Sequence, residues 1–190
     1  MGSQFRAWDG SNVEIHDGNI AVGPFGGFFH IHEGATVTIH NGAFGGSTNI
    51  DGVTTIHDGD FGRVNARNSA VVEINGGRMQ LDVEDNATTT VRGGAFGQFF
   101  TVQDSSQLTL HGADLRLNGQ PIPGLTTIGQ RLQLNLGSDV LTGTLADGTP
   151  FAFSQIDRDL IVPGALTLEV APAPPAGPPV INVPNDPAPH

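Results

Sequence analysis

A chain of 190 residues with a formal net charge of -11 and not one lysine presents a surface that repels phosphate backbones and anionic lipid. Nucleic acid and membranes are therefore excluded as expected partners, and no apolar run approaches the ~20 residues needed to span a bilayer. Cysteine is absent, so stability has to come from packing without disulfides.

From its first residues the chain repeats one motif. "VEIHDG" at 13–18 returns as "VTIHNG" at 37–42, "TTIHDG" at 54–59 and "LTLHGA" at 108–113. Aligned on the second apolar residue, the anchors are Ile15, Ile39, Ile56, Ile74, Val91 and Leu110, spaced 24, 17, 18, 17 and 19 residues apart. Five residues after each anchor comes Ile20, Phe44, Phe61, Met79, Phe96 or Leu115. Ten before come Phe5, Phe29, Val64, Leu81 and Phe100, with the third unit slipping in "STNIDGVT". Repetition at this period is the signature of a solenoid.

Each unit reads as two short alternating strands, F-x-A/V-x-D/N and V-x-I, with a glycine turn after the second. One such coil buries too little apolar surface to offset the ordering of its own backbone, so coils must stack on one another. The expected fold is all-β: a parallel β-solenoid, or β-helix, of about six coils over residues 1–115. The 24-residue unit carries "AVGPFGGFFHIHEG", expected as a loop bulging from one corner. Residues 116–170 read as a β-hairpin cap, with "NG" and "DG" as tight-turn signals and "ALTLEV" as its closing strand. Residues 171–190 are a proline-rich extended tail interrupted by the strand-like "VINV".

The units V-x-I-x-G-G-x-x-G-x-x-F-x-A, the stretch "LTGTLADGTPFAFS" and the proline-rich bridge resemble large secreted repeat proteins of planctomycete-type bacteria. That resemblance implies an extracellular or cell-surface location and no enzymatic role. It also casts the chain as one module or polymer subunit, because it starts inside a repeat and stops on a bridge.

Four groups of residues are candidates for chemistry. His16, His40 and His57 fall at equivalent positions of consecutive coils, and a ladder of imidazoles suits zinc, copper or nickel. Asn75 and Arg92 hold the same position in the next two coils, so the column reads as polar scaffold edge, with no metal and no cofactor expected. "HIH" at 30–32 directs His30 and His32 to one face and Ile31 inward, a second metal pair that takes the same reading. "HDGDFG" at 57–62 offers calcium-type oxygens but lacks the spacing of a calcium roll and reads as a solvated turn. Arg63, Arg67, Asp82 and Glu84 gather charge on the outer face of the first strand. Paired carboxylates can hydrolyse glycosides, but Arg67 beside Glu84 also makes an ordinary cross-strand ion pair. No catalytic motif accompanies them, and no enzyme is expected. Trp8 and the nearby phenylalanines offer a surface on which a sugar could stack.

The functional expectation is a structural, self-assembling surface module that polymerises head to tail into a filament or coat. Its interface is expected at Phe5, Ala7, Trp8, Val13 and Ile15 on the first coil and at Val180, Ile181 and Val183 in the tail. The partner is another copy of the chain. The alternative is a carbohydrate-binding or polysaccharide-degrading β-helix with extracellular polysaccharide as its ligand.

Overall fold

The computed structural model describes residues 4–20, 27–154, 160–163 and 165–173. Every regular element among them is a strand. One sheet takes, in spatial order, β1 (Gln4–Ala7), β4 (Gly27–Ile31), β6 (Ala43–Ile50), β8 (Asp60–Ala66), β10 (Arg78–Val83), β12 (Ala95–Val102) and β18 (Leu160–Ile161), with β3 (Asn19–Ile20) paired beside β6. The other begins at β2 (Asn12–Ile15) and runs through β5 (Thr36–Ile39), β7 (Val53–Ile56), β9 (Val71–Ile74), β11 (Thr88–Val91) and β13 (Gln107–Leu117). Pairing along both runs is parallel, and from β4 to β13 successive strands go to alternate sheets. The fold is a β-solenoid.

The repeat anchors sit opposite one another in the ladder: Ile15, Ile39, Ile56, Ile74, Val91 and Leu110 each pair with the next. Ile39, Ile56, Ile74, Val91 and Leu110 are fully buried. Phenylalanines follow the same logic, with Phe5 stacked on Phe29 at 4.7 Å and Phe44 on Phe61 at 4.5 Å between ring centroids. Parallel stacking brings like residues together, so the anchor column is a continuous apolar rod, while Thr48, Thr54 and Thr89 interrupt the columns beside it.

The turn after each V-x-I strand explains the "DG" and "NG" pairs. Asp17, Asn41 and Asp58 each accept a hydrogen bond from the backbone N–H of the following glycine, at 2.7–2.8 Å. Gly59 has φ of +136°, and a Cβ there would lie 2.9 Å from the carbonyl oxygen of Gly42 and 2.8 Å from the Phe61 ring. Neighbouring turns pack backbone on backbone, leaving no room for a side chain.

The slip in the third unit is a shortened corner. Thr48 and Ile50, both buried, take the inward positions opposite Phe29 and Ile31. They precede the next anchor by two residues fewer than in other units because only Asp51 and Gly52 separate β6 from β7. A Cβ on Gly52 would sit 2.5 Å from the Ala35 carbonyl oxygen, so this tight corner depends on glycine.

The expected loop at residues 21–34 is corrected in part. Residues 21–26 lie outside the described set, but Gly27–Ile31 is β4, in register between β1 and β6. Its inward side chains, Phe29 and Ile31, are core, which a bulging loop could not supply.

After β13 come β14 (Gln120–Pro121), β15 (Arg131–Leu134), β16 (Val140–Leu145), β17 (Pro150–Ser154) and β19 (Leu166–Val170). β16 and β17 form an antiparallel hairpin paired to the second half of β13, and Phe153 stacks on Phe100 at 4.3 Å. β18 and β19 then rejoin the two parallel sheets, Leu166 and Leu168 lying opposite Leu108 and Leu110. The expected closing strand therefore extends the solenoid stack. β15 pairs antiparallel with β19 and lies outermost at that end of its sheet. Leu141, Leu145, Phe151 and Phe153 share one buried cluster with the repeat columns.

Candidate functional site

Side chains just past the V-x-I strand form the first histidine column. The rings of His16 and His40 are parallel within 2° at 4.6 Å, and those of His40 and His57 stack at 5.1 Å. His16 Nε2 lies 3.4 Å from Glu14, at the exposed end of the column. Asn75 and Arg92 continue it, as the repeat implies, and His111 and Glu169 complete it in the next two strands. Arg92 donates to Glu73 and to His111 Nδ1, both at 3.1 Å, and Glu169 Oε1 lies 3.4 Å from the same nitrogen. Arg131 of β15 donates to Glu169 at 2.6 Å.

His111 is buried, and its pKa lies below the ordinary 6.5, first through desolvation and then through the Arg92 cation, with Glu169 opposing and Arg131 adding to the fall. A folded-state pKa below the unfolded one means that the unfolded chain binds the extra proton first. This contribution to stability is complete above pH 6.5 and is lost as pH falls through the folded value. Melting curves recorded between neutral pH and pH 5 are therefore expected to fall with acid, and His111→Gln to flatten that fall. An acid limb unchanged by His111→Gln would show that other groups set it.

The second cluster lies on the outer face of the other sheet. His30 and His32 are two apart around the inward Ile31, as alternation requires. Backbone hydrogen bonds place His32 directly between Trp8 and Asp51, and the same column continues through Arg67, Glu84 and Gln103. His30 Nε2 lies 2.7 Å from Asp51 Oδ2, the two imidazole centroids are 3.9 Å apart, and Trp8 lies flat over His32 at 4.1 Å. The Arg6 guanidinium stands 5.7 Å from the Trp8 ring centroid. Burial, then His30 and Arg6, hold the His32 pKa below its ordinary value against the opposing pull of Asp51. His32 Nε2, Asp51 Oδ1 and Arg67 Nε are all buried without a hydrogen-bond partner.

The charged group around Asp82 is arranged differently from the expected pairing. Arg67 forms its ion pair with Asp51, Nη2 to Oδ1 at 3.6 Å, on the side away from Glu84. Asp82, buried, is held by Arg63. Of the calcium-type oxygens, Asp58 and Asp60 are both exposed, and Asp58 Oδ1 already accepts from the Gly59 N–H.

Of the expected interface residues, Phe5 and Val13 are half-buried and Trp8 is 56% exposed, whereas Ala7 and Ile15 are buried within the chain. Val180, Ile181 and Val183 lie outside the described residues. Sequence reasoning found His30 and His32 but missed Asp51 and Trp8 as their neighbours. The signal was there: the residue following each inward Ala7, Ile31, Ile50 and Ala66 is one column. Compared with known protein families, curated proteins and solved structures, the chain matches none.

Proposed function

We propose that the protein is a structural module of the cell surface or extracellular space that joins copies of itself end to end into a filament or coat. In this reading about six repeat coils form the shaft, residues 116–170 cover its far end, and the proline-rich tail makes the link. One observation carries it. Phe5 and Val13 on the first rung are only half-buried, whereas Phe29 and Val37, one rung inward in the same columns, are fully buried. Among the described residues, the apolar core thus reaches this end of the stack only half-covered. β2 is the outermost strand of its sheet, and among the described residues no strand lies beyond it. An edge of this kind favours pairing with another chain.

Because the chain carries net charge -11, copies repel one another, and screening that repulsion helps them join. Light scattering at fixed protein concentration is expected to rise as salt increases from the low-millimolar range to physiological strength. Assembly that weakens with added salt would indicate joining through charge pairs and would contradict this reading. The carbohydrate-binding alternative draws on exposed Trp8, and glycan binding by a protein that stays monomeric would select it.

A further inference from the structure

We propose that His30, His32 and Asp51 form a binding site for a divalent transition-metal ion of the zinc class. One ligand atom from each residue can be chosen so that all lie within 4.8 Å of one another. A tetrahedral zinc ion bound at ~2.0–2.2 Å holds its ligand atoms about 3.4 Å apart, so side-chain rotations alone close the set. Two imidazoles and one carboxylate are the donor set of an open zinc site, with the remaining position left to water or another ligand.

Independent support comes from the unmet polar atoms. His32 Nε2 and Asp51 Oδ1 are buried without a hydrogen bond, although buried polar atoms are almost always hydrogen-bonded, and Asp51 Oδ1 has only the 3.6 Å ion pair with Arg67. Both belong to the cluster, and both are lone-pair donors that a cation would satisfy. The ion would replace the proton between His30 Nε2 and Asp51 Oδ2, which leaves to water, and the guanidinium of Arg67 would give up Asp51 Oδ1. Arg6 and Arg67 are the cations that oppose binding. Trp8, stacked on His32, covers the ring face and limits the directions from which solvent reaches the site.

The stacked column at His16 and His40 is a weaker rival. Glu14 and His16 are exposed, and no polar side-chain atom of Glu14, His16 or His40 is buried without a hydrogen bond. It serves as the control.

The repeat supplies variants that its own columns already accept. Asn49 and Asn65 stand in the His30 column, and Gln103 in the His32 column, so His30→Asn and His32→Gln preserve the fold. Trp8 is the only tryptophan and there is no tyrosine, so indole fluorescence reports from beside the site. Calorimetric titration of the full chain with ZnCl2 is expected to saturate at one equivalent, and CuCl2 to quench Trp8 emission over the same stoichiometry. His30→Asn and His32→Gln are each expected to weaken zinc at least about tenfold, while the His16→Asn/His40→Asn protein binds as before. Failure of the unmodified chain to saturate, unquenched Trp8, binding retained by both site variants, or binding lost in the His16→Asn/His40→Asn protein would each overturn the assignment.

Discussion

Replacing Ile56 with aspartate is expected to leave no folded protein at room temperature. Ile56 is fully buried between Ile39 and Ile74 in the middle of the anchor column. A carboxylate there either stays charged at a cost of several kcal/mol or takes up a proton and still lacks a partner. Total stability of a domain is only about 5–15 kcal/mol. A solenoid is also held by contacts between neighbouring coils, so a break in mid-stack separates the two halves. Ile56→Val is the control, expected to cost about 0.5–1.5 kcal/mol and to melt cooperatively. Circular dichroism and thermal melting distinguish the two. A native spectrum and an unchanged melting temperature for Ile56→Asp would mean that the anchor column is not the core.

Removing residues 174–190 is expected to abolish end-to-end assembly while leaving the subunit folded. The cut belongs after Ala173, because Ala171 is buried and its N–H donates to the Gly112 carbonyl at 2.8 Å, so a cut before Ala171 would damage β13 and confuse the result. The proposed link is "VINV" adding as a strand to the outer edge of β2 in the next copy, by β-augmentation. A polyproline segment extends ~3.1 Å per residue, so Ala171–Pro179 reaches about 28 Å, enough to cross from one subunit to the next. Sedimentation of the shortened protein should give a single monomeric species at a salt concentration where the full chain assembles. Filaments indistinguishable from those of the full chain would eliminate the tail as the link.

The solenoid was legible in the sequence because parallel stacking places like residues opposite like, so the columns survive as a written period. Ile15 through Leu110 needed only counting. Two features hid from that counting. The two-residue corner at Asp51–Gly52 moved Thr48 and Ile50 off the usual offset, and with them Asp51, so counting back from the anchors did not place it beside His32. The inserted hairpin between β13 and β19 hid the further rung, although "LTLEVA" at 166–171 matches "LTLHGA" at 108–113 at four of six positions. Side-chain partnerships were the least legible part. Alternation placed Arg67 on the outer face, but only the geometry determined whether it turned to Glu84 or to Asp51. Burial at the first rung was likewise invisible to the repeat, which treats Val13 and Val37 as equivalent.

Coaxial joining of solenoids is tested most directly by X-ray fibre diffraction from aligned full-length material. Strands lie across the shaft in the proposed filament, and the hydrogen-bonding direction runs along it, so the inter-strand reflection at ~4.8 Å should fall on the meridian. Its appearance there, from filaments that need the tail to form, is the predicted result. Failure to form filaments, or a ~4.8 Å reflection on the equator, would contradict head-to-tail stacking.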